Sequence, residues 1–281
     1  LQKQTAMEKS VEASLPYLER RPKTEELEAA MISVNVEKGG VSALVAGRDV
    51  RYFGFNRVLD TKRNIGSLVK PAVYLSAFES GKFNLASLVD DSPLRVTNEQ
   101  GKIWQPENFD RQFRGMMPLY KAFSNSINIP AVNTGLDVGV DTVATTLKRL
   151  GVEGSIDEYP SLLLGALELS SFEVAQLYTT LAADGQYREL TSISALTVSV
   201  GKVLYKHNVE SQKRFDEASV YMTKYAMKRV TKDGTAKRLN AHFPSIQLAG
   251  KTGTSNDLRD SWFAGFDQNT VTVAWIGRDD N

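Results

Sequence analysis

The chain contains no cysteine and only two histidines, His207 and His242. The absence of cysteine excludes disulfide bonds, thiolate nucleophiles and cysteine-ligated zinc sites. Two histidines exclude a multi-histidine metal site and leave few candidates for a serine-histidine-aspartate triad. If the protein carries out hydrolysis or acyl transfer, we therefore expect its base to be a residue other than histidine.

The sequence also lacks an excess of charge of one sign, and it has no long apolar runs. The 34 Lys+Arg are balanced by 33 Asp+Glu, and the net charge of +1 argues against a nucleic-acid-binding protein that acts through bulk electrostatics. No apolar run approaches the ~18 residues that a membrane span needs, and the first residues show no signal-peptide profile. Hydrophobic residues still make up 42% of the 281 residues, enough for a substantial core in one large domain or two small ones.

A helical lead-in is predicted before the main body of the chain. Met7, Val11 and Leu15 recur at helical spacing, and the pattern ends at Pro22, because proline disfavours continuation of a helix. We expect residues 1–29 to form a connecting helix and linker, and residues 30–281 to form the main domain.

The main domain has predicted strands at both of its ends and helices between them. Two β-branched runs at 30–36 and 41–46, separated by a glycine turn, predict a β-hairpin. Helical patterns dominate residues 67–185. After residue 185, strands are predicted at 190–204, 246–249, 261–267 and 270–276. One helix is predicted among them, at 219–230. This order indicates an α+β fold, in which an antiparallel sheet built from both chain ends is packed by helices and carries a mostly helical inserted subdomain.

Several common catalytic motifs are missing from the sequence. Gly250-Lys251-Thr252 is similar to the end of a phosphate-binding loop, but the first glycine of that motif would have to stand at position 245, which is Ser245. The patterns G-x-S-x-G, H-E-x-x-H and G-x-G-x-x-G do not occur. The sequence thus argues against a hydrolase nucleophile elbow, a zincin and a dinucleotide-binding protein.

A serine and a lysine three residues apart form the first candidate catalytic pair. Ser67 and Lys70 lie where a turn gives way to an apolar helical stretch, and their spacing places both side chains on one helix face. A serine hydroxyl needs a base at neutral pH, and a lysine can serve if burial and a neighbouring positive charge lower its proton affinity. The same spacing recurs at Ser199 and Lys202, but in β-branched sequence, where the two side chains need not face each other.

Ser126 and Asn128 form a second candidate segment, in a predicted break between two helices. A second hydroxyl could relay protons between the lysine and a leaving amine, and an asparagine amide could bind substrate backbone as well as active-site side chains. The alternative is ordinary turn and helix-cap chemistry, for which serine and asparagine are equally suited.

The third segment, Lys251-Thr252-Gly253-Thr254, follows a strand-like run. Such a strand could bind an extended peptide by β-addition, while the lysine and the hydroxyl groups hold a carboxylate and the glycine leaves the substrate's path clear. The alternative is a turn at a strand end with a solvated lysine.

The order of these three segments resembles the penicillin-binding protein and serine β-lactamase superfamily, whose members carry S-x-x-K, a serine-asparagine motif and K-T-G. The wider sequence is similar to the transpeptidase domain of class A, bifunctional penicillin-binding proteins of the 1b type of Gram-negative bacteria. The segments that carry this wider likeness are 66–71, 128–133, 163–167, 250–254 and 260–265.

The resemblance implies a role for each candidate residue. The residues with implied catalytic roles are Ser67 as acylated nucleophile, Lys70 as its base, Ser126 as proton relay, and Lys251. Those with implied roles in substrate binding are Asn128, Thr252, Gly253 and Thr254, and the substrate carboxylate would be held by Lys251, Thr252 and Thr254. The backbone N–H groups of Ser67 and Thr254 would form the oxyanion hole. No metal or organic cofactor is implied.

The implied activity is that of a peptidoglycan DD-transpeptidase, which cross-links stem peptides ending in D-Ala-D-Ala through an acyl-serine intermediate and is acylated covalently by β-lactam antibiotics. The resemblance places the protein at the periplasmic face of the bacterial inner membrane. It implies a membrane anchor and a glycosyltransferase domain upstream, a C-terminal helix beyond residue 281, and an outer-membrane lipoprotein as activator, with no nucleic-acid partner.

Other members of the superfamily remain as alternatives. A DD-carboxypeptidase or a serine β-lactamase shares the motifs and passes the acyl group to water, whereas a β-lactam sensor domain is acylated without turnover. Class A β-lactamases are credited with a deacylating glutamate, and the sequence around Glu168 does not provide the expected context for one. We therefore predict a long-lived penicillin adduct.

Overall fold

A computed structural model describes residues 1–21, 24–51, 54–97, 101, 103–198, 201–255 and 259–280. Pro22, where the lead-in helix was expected to end, and Ser199 of the second serine-lysine pair lie outside the described residues. The α-helices of the described part are α1 Gln2–Leu18, α2 Lys70–Glu79, α3 Leu119–Ser124, α4 Asn128–Val138, α5 Val140–Leu150, α6 Ser171–Ala182, α7 Glu217–Lys232 and α8 Lys237–His242. Two 3₁₀ turns span Gly66–Val69 and Pro160–Leu164.

The strands are mostly short, and the longer ones lie near the two ends of the chain. They are β1 Glu28–Asn35, β2 Val41–Val45, β3 Arg63–Asn64, β4 Leu88–Asp91, β5 Val96–Thr97, β6 Ile103–Trp104, β7 Gly115–Pro118, β8 Glu168–Leu169, β9 Gln186–Tyr187, β10 Ala195–Thr197, β11 Val203–Lys206, β12 Gln212–Lys213, β13 Ala249–Thr254, β14 Asp260–Phe266 and β15 Thr270–Gly277.

The main sheet has five strands in the order β13-β14-β15-β1-β2, and every neighbouring pair is antiparallel. The first two strands of the chain thus pair with the last three, as expected from the sequence. The mixed layout with an antiparallel sheet confirms the predicted α+β fold class. Because β13 stands at an edge of the sheet, its free side is available to other parts of the molecule and to ligands.

Both faces of the sheet are covered by helices. Strand β1 alternates between the two faces: Ile32 belongs to the main core, which α6 joins, whereas Ala29 packs against α1. Helix α1 contributes its buried residues Met7, Val11 and Leu15 to this second, smaller core. Residues 1–18 therefore pack on the sheet as an integral layer, beyond the connecting role that their sequence suggested.

Helix α2 lies in the centre of the molecule. All of its residues from Lys70 to Phe78 are buried, including the charged one at its start. Helices α4, α5 and α7 pack around it, and the 3₁₀ turn at its N-terminus contacts β13. A helix that is surrounded on all sides holds its first turn in a fixed position relative to the edge of the sheet.

The sequence prediction placed some elements wrongly. The strand expected at 246–249 begins only at Ala249 and continues through Thr254, because its pairing with β14 and the burial of Lys251 outweigh the polar character of these residues. The strand expected at 190–204 is a short exposed hairpin of β10 and β11 in the described part. Within the region predicted to be mostly helical, residues 115–118 form a strand that pairs with β4, and α3 begins only at Leu119.

Candidate active site

Ser67 is the second residue of the 3₁₀ turn that leads directly into α2. Pro71 occupies the first turn of the helix, where its missing N–H costs no hydrogen bond. N–H groups in a first turn have no acceptor within the helix, which leaves the N–H of Ser67 available to a ligand. The side chain of Ser67 is half-buried. The prediction that Ser67 stands at a helix start is therefore confirmed.

Two glycines allow this turn to approach the edge strand closely. Gly66 has φ +49°, and a Cβ atom on it would overlap the carbonyl oxygen of Thr254. Gly165, with φ +82°, packs against Gly66 from the other side, and a Cβ atom on it would overlap the carbonyl group of Gly66. Only glycine suits both the positive φ and the close approach. The contact places Ser67 next to Thr254, whose N–H is the second predicted oxyanion donor.

Lys70 is fully buried and surrounded by oxygen atoms. Its Nζ donates to the carbonyl oxygens of Ser126 (2.7 Å) and Ile127 (3.2 Å), to Asn128 Oδ1 (2.8 Å) and to Ser126 Oγ (3.3 Å). Burial, and after it the charge of Lys251, hold the pKa of Lys70 well below its ordinary value of 10.5. These are the two influences that the sequence argument required for a lysine base.

Ser67 and Lys70 stand three residues apart, in the 3₁₀ turn and at the start of α2, a spacing that brings side chains to the same side of the turn. No hydrogen bond joins Ser67 Oγ to Lys70 Nζ in the part of the chain that the structure describes. The amine is turned toward Ser126 and Asn128, which supply its acceptors. Catalytic hydrogen bonds are often long in ligand-free structures and tighten when substrate binds. A role as base requires Lys70 to exchange one of its present contacts for the Ser67 hydroxyl.

Ser126 stands between the two buried lysines. Its Oγ lies 2.7 Å from Lys251 Nζ and 3.3 Å from Lys70 Nζ. The residue has φ +57°, which is uncommon outside glycine, and its N–H bonds the carbonyl of Phe123. The left-handed residue thus ends α3 and turns the hydroxyl toward both amines. A hydroxyl in this position can accept a proton from one amine and donate one to the other.

Lys251, on β13, is also fully buried. Its Nζ donates to Ser126 Oγ and, at 2.9 Å, to the carbonyl oxygen of Thr252. Burial lowers the pKa of Lys251 to about 7. Neither Lys251 nor Lys70 forms an ion pair with a carboxylate of the described residues. No negative charge therefore offsets the effect of burial, which favours the neutral form of both amines.

Alternation along β13 separates the predicted substrate-binding residues into two groups. Lys251 and Gly253 face the turn that carries Ser67, whereas Thr252 and Thr254 point to the opposite face. A Cβ atom on Gly253 would meet the carbonyl oxygen of Ile65 at 2.8 Å. The missing side chain of Gly253 therefore makes room for the turn that carries the nucleophile. Its role in keeping the path of the substrate clear stays a prediction.

Asn128, the first residue of α4, has a side-chain amide of fixed orientation. Its Oδ1 accepts from Lys70 Nζ, and its Nδ2 donates to the carbonyl oxygen of Glu107 at 2.8 Å. An amide nitrogen carries two hydrogens, so one donor of Nδ2 is left for a ligand. Asn128 can therefore hold the lysine and a substrate carbonyl at the same time.

Thr235 is a residue near the site that the sequence argument missed. Its Oγ1 lies 2.7 Å from Thr252 Oγ1, and its N–H bonds the carbonyl of Ser124 at 3.1 Å. Thr235 thus links β13 to the end of α3, just before Ser126. Its place in a turn after α7 gave no local signal, because the contact joins residues far apart in the chain.

A cleft of about 450 Å³ opens beside the nucleophile. It is bordered by Gly66, which precedes Ser67, and by Asn128 and Thr254. Trp104 and Glu107, from the segment before β7, form part of its wall. The cleft gives an extended ligand access to the free edge of β13 and to the oxyanion donors.

Neither histidine takes part in this cluster. His207 lies 3.4 Å from the Tyr205 hydroxyl on the exposed hairpin, and His242 contacts the Arg238 carbonyl on α8. Across the described ranges, no group of three or more histidine, cysteine, aspartate or glutamate side chains is arranged to hold a metal ion. None of the described helices is long and apolar enough to cross a membrane.

Comparison with known proteins places this geometry in a family. The family model described as the penicillin binding protein transpeptidase domain matches residues 29–278. Penicillin-binding protein 1B of Vibrio cholerae is 44% identical over 280 residues, which are 99% of this chain and 36% of that protein. Penicillin-binding protein 1B of Escherichia coli is 38% identical over 282 residues, 99% of this chain and 33% of that protein. The chain spans about a third of the length of these relatives.

Solved structures agree with the fold. Penicillin-binding protein 1A from Haemophilus influenzae superposes with a TM-score of 0.83 at 26% identity, over 90% of this chain and 44% of that chain. The PonA1 protein from Mycobacterium tuberculosis in complex with penicillin V gives a TM-score of 0.81 at 21% identity, over 96% of this chain and 74% of that chain. The family match agrees with the sequence motifs and with the fold. The chain therefore belongs to the penicillin-binding protein transpeptidase-domain family, of the penicillin-binding protein 1B type.

Proposed function

We propose that this domain is a serine DD-transpeptidase that cross-links peptidoglycan stem peptides. In the first half-reaction, Ser67 Oγ attacks the carbonyl of a terminal D-Ala-D-Ala bond, and Lys70 takes the hydroxyl proton. The bond between oxygen and carbon forms, the amide bond breaks, and D-alanine leaves as an amine that receives a proton through Ser126. The acyl group remains on Ser67.

In the second half-reaction the acyl group passes to an amine of another stem peptide. The incoming amine loses a proton along the path by which the first amine gained one, as microscopic reversibility requires. The new amide bond forms and Ser67 recovers its proton from Lys70. In each half-reaction, the N–H groups of Ser67 and Thr254 stabilise the negative charge on the carbonyl oxygen.

The substrate carboxylate is assigned to the far end of β13. Lys251 would supply a cation from one face of the strand and Thr252 and Thr254 two hydroxyls from the other, so that the carboxylate would lie at the free edge of β13. Asn128 would supply an amide donor for a carbonyl of the stem peptide. The free edge of β13 supports the binding of an extended peptide by strand addition.

One observation carries the proposal above all others. Two fully buried lysines, without a carboxylate partner among the described residues, both contact the hydroxyl of Ser126 beside the helix start that carries Ser67. Burial of two cations at one hydroxyl has a high free-energy cost unless their protons can leave, and proton exchange is what acyl transfer to serine requires.

Further functions of the whole protein are inferred from its relatives. We propose that the complete protein carries a membrane anchor and a peptidoglycan glycosyltransferase domain, and that it works at the periplasmic face of the inner membrane with a lipoprotein activator. Support comes from the match to penicillin-binding protein 1B of two organisms, of which this chain covers 36% and 33%.

We expect penicillin to acylate Ser67 and no other serine. Intact-protein mass spectrometry after addition of benzylpenicillin should show one adduct per chain, and peptide mapping should place it on Ser67. Ser67→Ala should remove the adduct, whereas Ser199→Ala, in the second S-x-x-K segment, should keep it. Label on Ser199, or no label on the wild-type protein, would contradict the proposed function.

The lifetime of the adduct and the peptide reaction distinguish the superfamily members. After removal of free penicillin, the acyl-enzyme should persist far longer than one catalytic cycle, and rapid release of hydrolysed penicillin would indicate a β-lactamase. With a peptide ending in D-Ala-D-Ala, a transpeptidase forms a cross-linked product with an added amine. A carboxypeptidase yields only the hydrolysed peptide, and a sensor domain yields neither product.

A further inference from the structure

Asn128 is held in place by the segment between β6 and β7. The carbonyl of Glu107 accepts from Asn128 Nδ2, and the neighbouring side chain of Asn108 accepts from two backbone N–H groups at the start of α4. Asn108 Oδ1 lies 2.9 Å from the nitrogen of Asn128 and 3.2 Å from that of Ile129. Asn108 therefore satisfies the first-turn donors of α4 from outside the helix.

Asn108 is 3% exposed, and its side-chain amide makes two donor and two acceptor hydrogen bonds. Its Nδ2 donates to Asp91 Oδ1 at 2.6 Å and to the carbonyl oxygen of Gln112 at 2.7 Å. Asp91 is itself completely buried on β4, and its second oxygen accepts from the N–H of Arg114 at 3.0 Å. A buried amide with two donor and two acceptor bonds has only one orientation that satisfies its surroundings.

This chain of contacts ends at the buried lysine. Asp91 fixes Asn108, Asn108 fixes the backbone of Asn128, and Asn128 Oδ1 accepts from Lys70 Nζ. Small displacements of a catalytic group lower reaction rates strongly, because the reacting atoms must meet in a narrow range of distance and angle. The position of Lys70 thus depends on a residue outside the three motifs.

We propose that Asn108, anchored by Asp91, is a positioning residue for acyl transfer: it sets the Asn128 amide, and through it the Lys70 amine, in the orientation that serves Ser67. The proposal rests on the function proposed above. Asn108 acts through Asn128 and does not line the cleft, so its loss should lower the rate constant of the acylation step by a larger factor than it weakens the initial binding of a β-lactam.

The first test compares two asparagines that tie α4 to β4. Asn108→Ala should reduce the acylation rate constant at saturating penicillin by about tenfold, while the dissociation constant of the initial complex changes by a smaller factor. Asn133 on α4 donates from Nδ2 to the carbonyl of Asp90 on β4 at 3.0 Å, and among the described residues no hydrogen bond joins it to Asn128. Asn133→Ala should therefore acylate at the wild-type rate constant.

The second test uses protonation as a rescue. An aspartate at position 108 keeps the acceptor for α4 but faces the Asp91 carboxylate, so it can donate to Asp91 only when it is protonated. Asp91 and the nearby Asp110 both pair with Arg114, and the neighbouring Glu107 and Arg111 pair with each other. On α2, burial and after it the Asp91 charge raise the pKa of Tyr74. The ratio of the Asn108→Asp rate to the wild-type rate should fall about threefold or more as pH rises from about 5.5 to 8.

The outcomes separate this proposal from the proposed function. If the wild-type chain is not acylated, the proposed function itself fails. If the wild-type chain is acylated, and the folded Asn108→Ala protein has an unchanged rate constant with only a lower melting temperature, Asn108 serves stability alone and the proposal is overturned. Equal slowing by Asn133→Ala overturns it as well. If Asn108→Ala does not fold, a pH-independent rate ratio for Asn108→Asp overturns it.

Discussion

Lys70→Met should reduce acylation of Ser67 by penicillin by about 10²- to 10⁴-fold, the range that general acid-base catalysis contributes. Methionine is about as long as the aliphatic part of lysine and lacks its amine, so it cannot accept the serine proton. Burial, and after it the charge of Lys251, lower the pKa of Lys70 and so favour the neutral amine, the form that can accept the serine proton. Stopped-flow or quenched mass spectrometry with wild-type protein and variant measures the effect.

A lysine outside the site provides the matched control. Lys82 is exposed and pairs with Asp137 at 3.2 Å, so Lys82→Met should acylate like the wild-type protein. Both variants must retain a cooperative melting transition for the comparison to hold. An unchanged acylation rate in a folded Lys70→Met protein would show that the base lies elsewhere.

Lys251→Ala should slow acylation by carboxylate-bearing β-lactams by about one to two powers of ten, since a charge-assisted contact contributes roughly 1.5–3 kcal/mol. The same substitution should have a smaller effect on an ester or amide analogue that lacks the negative charge. Acylation rate constants for matched charged and uncharged compounds, measured with both proteins, test the difference.

The geometry makes this comparison necessary. Lys251 Nζ also donates to Ser126 Oγ at 2.7 Å, so its removal can disturb the proton path as well as the binding of the carboxylate. Damage to the proton path slows all substrates alike. Equal slowing of charged and uncharged compounds would therefore contradict the proposal that Lys251 binds the carboxylate, and would indicate that Lys251 acts in proton transfer.

The sequence predicted those parts of the site that lie within a few residues of each other. The spacing of Ser67 and Lys70 predicted a shared helix face, and the α+β layout followed from the positions of the apolar runs. The family resemblance is confirmed by the match over residues 29–278. The roles assigned to individual residues remain predictions for the experiments described above.

Features that depend on tertiary contacts could not be predicted. Asn108 lies in an irregular segment, 20 residues before Asn128 in the sequence, and contacts it only in the folded chain. Thr235, in a turn after α7, contacts Thr252 in the same way. Strand β13 was placed too early because Lys251 and its neighbours are polar, and only pairing with β14 makes them a strand. Local propensity does not contain such information.

The burial of Lys70 and Lys251 also makes folding a proton-releasing reaction. An unfolded chain keeps a lysine protonated up to about its ordinary pKa of 10.5, whereas the folded chain lowers the pKa of Lys251 to about 7. Between these values the unfolded state binds more protons, so the free energy of unfolding should rise with pH across this window. It should be lowest below about 7, where the folded chain has to hold the charge away from water.

Calorimetric unfolding between about pH 6 and 10 measures this linkage, and Lys251→Met should show a shallower dependence on pH because one of the two buried titrating groups is gone. An equally steep dependence in the variant would mean that other groups cause it. A neutral Lys70 can accept a proton from serine, and burial also favours the neutral form of this amine. At Lys70 the charge state that is competent for chemistry is therefore also the one in which the fold is most stable.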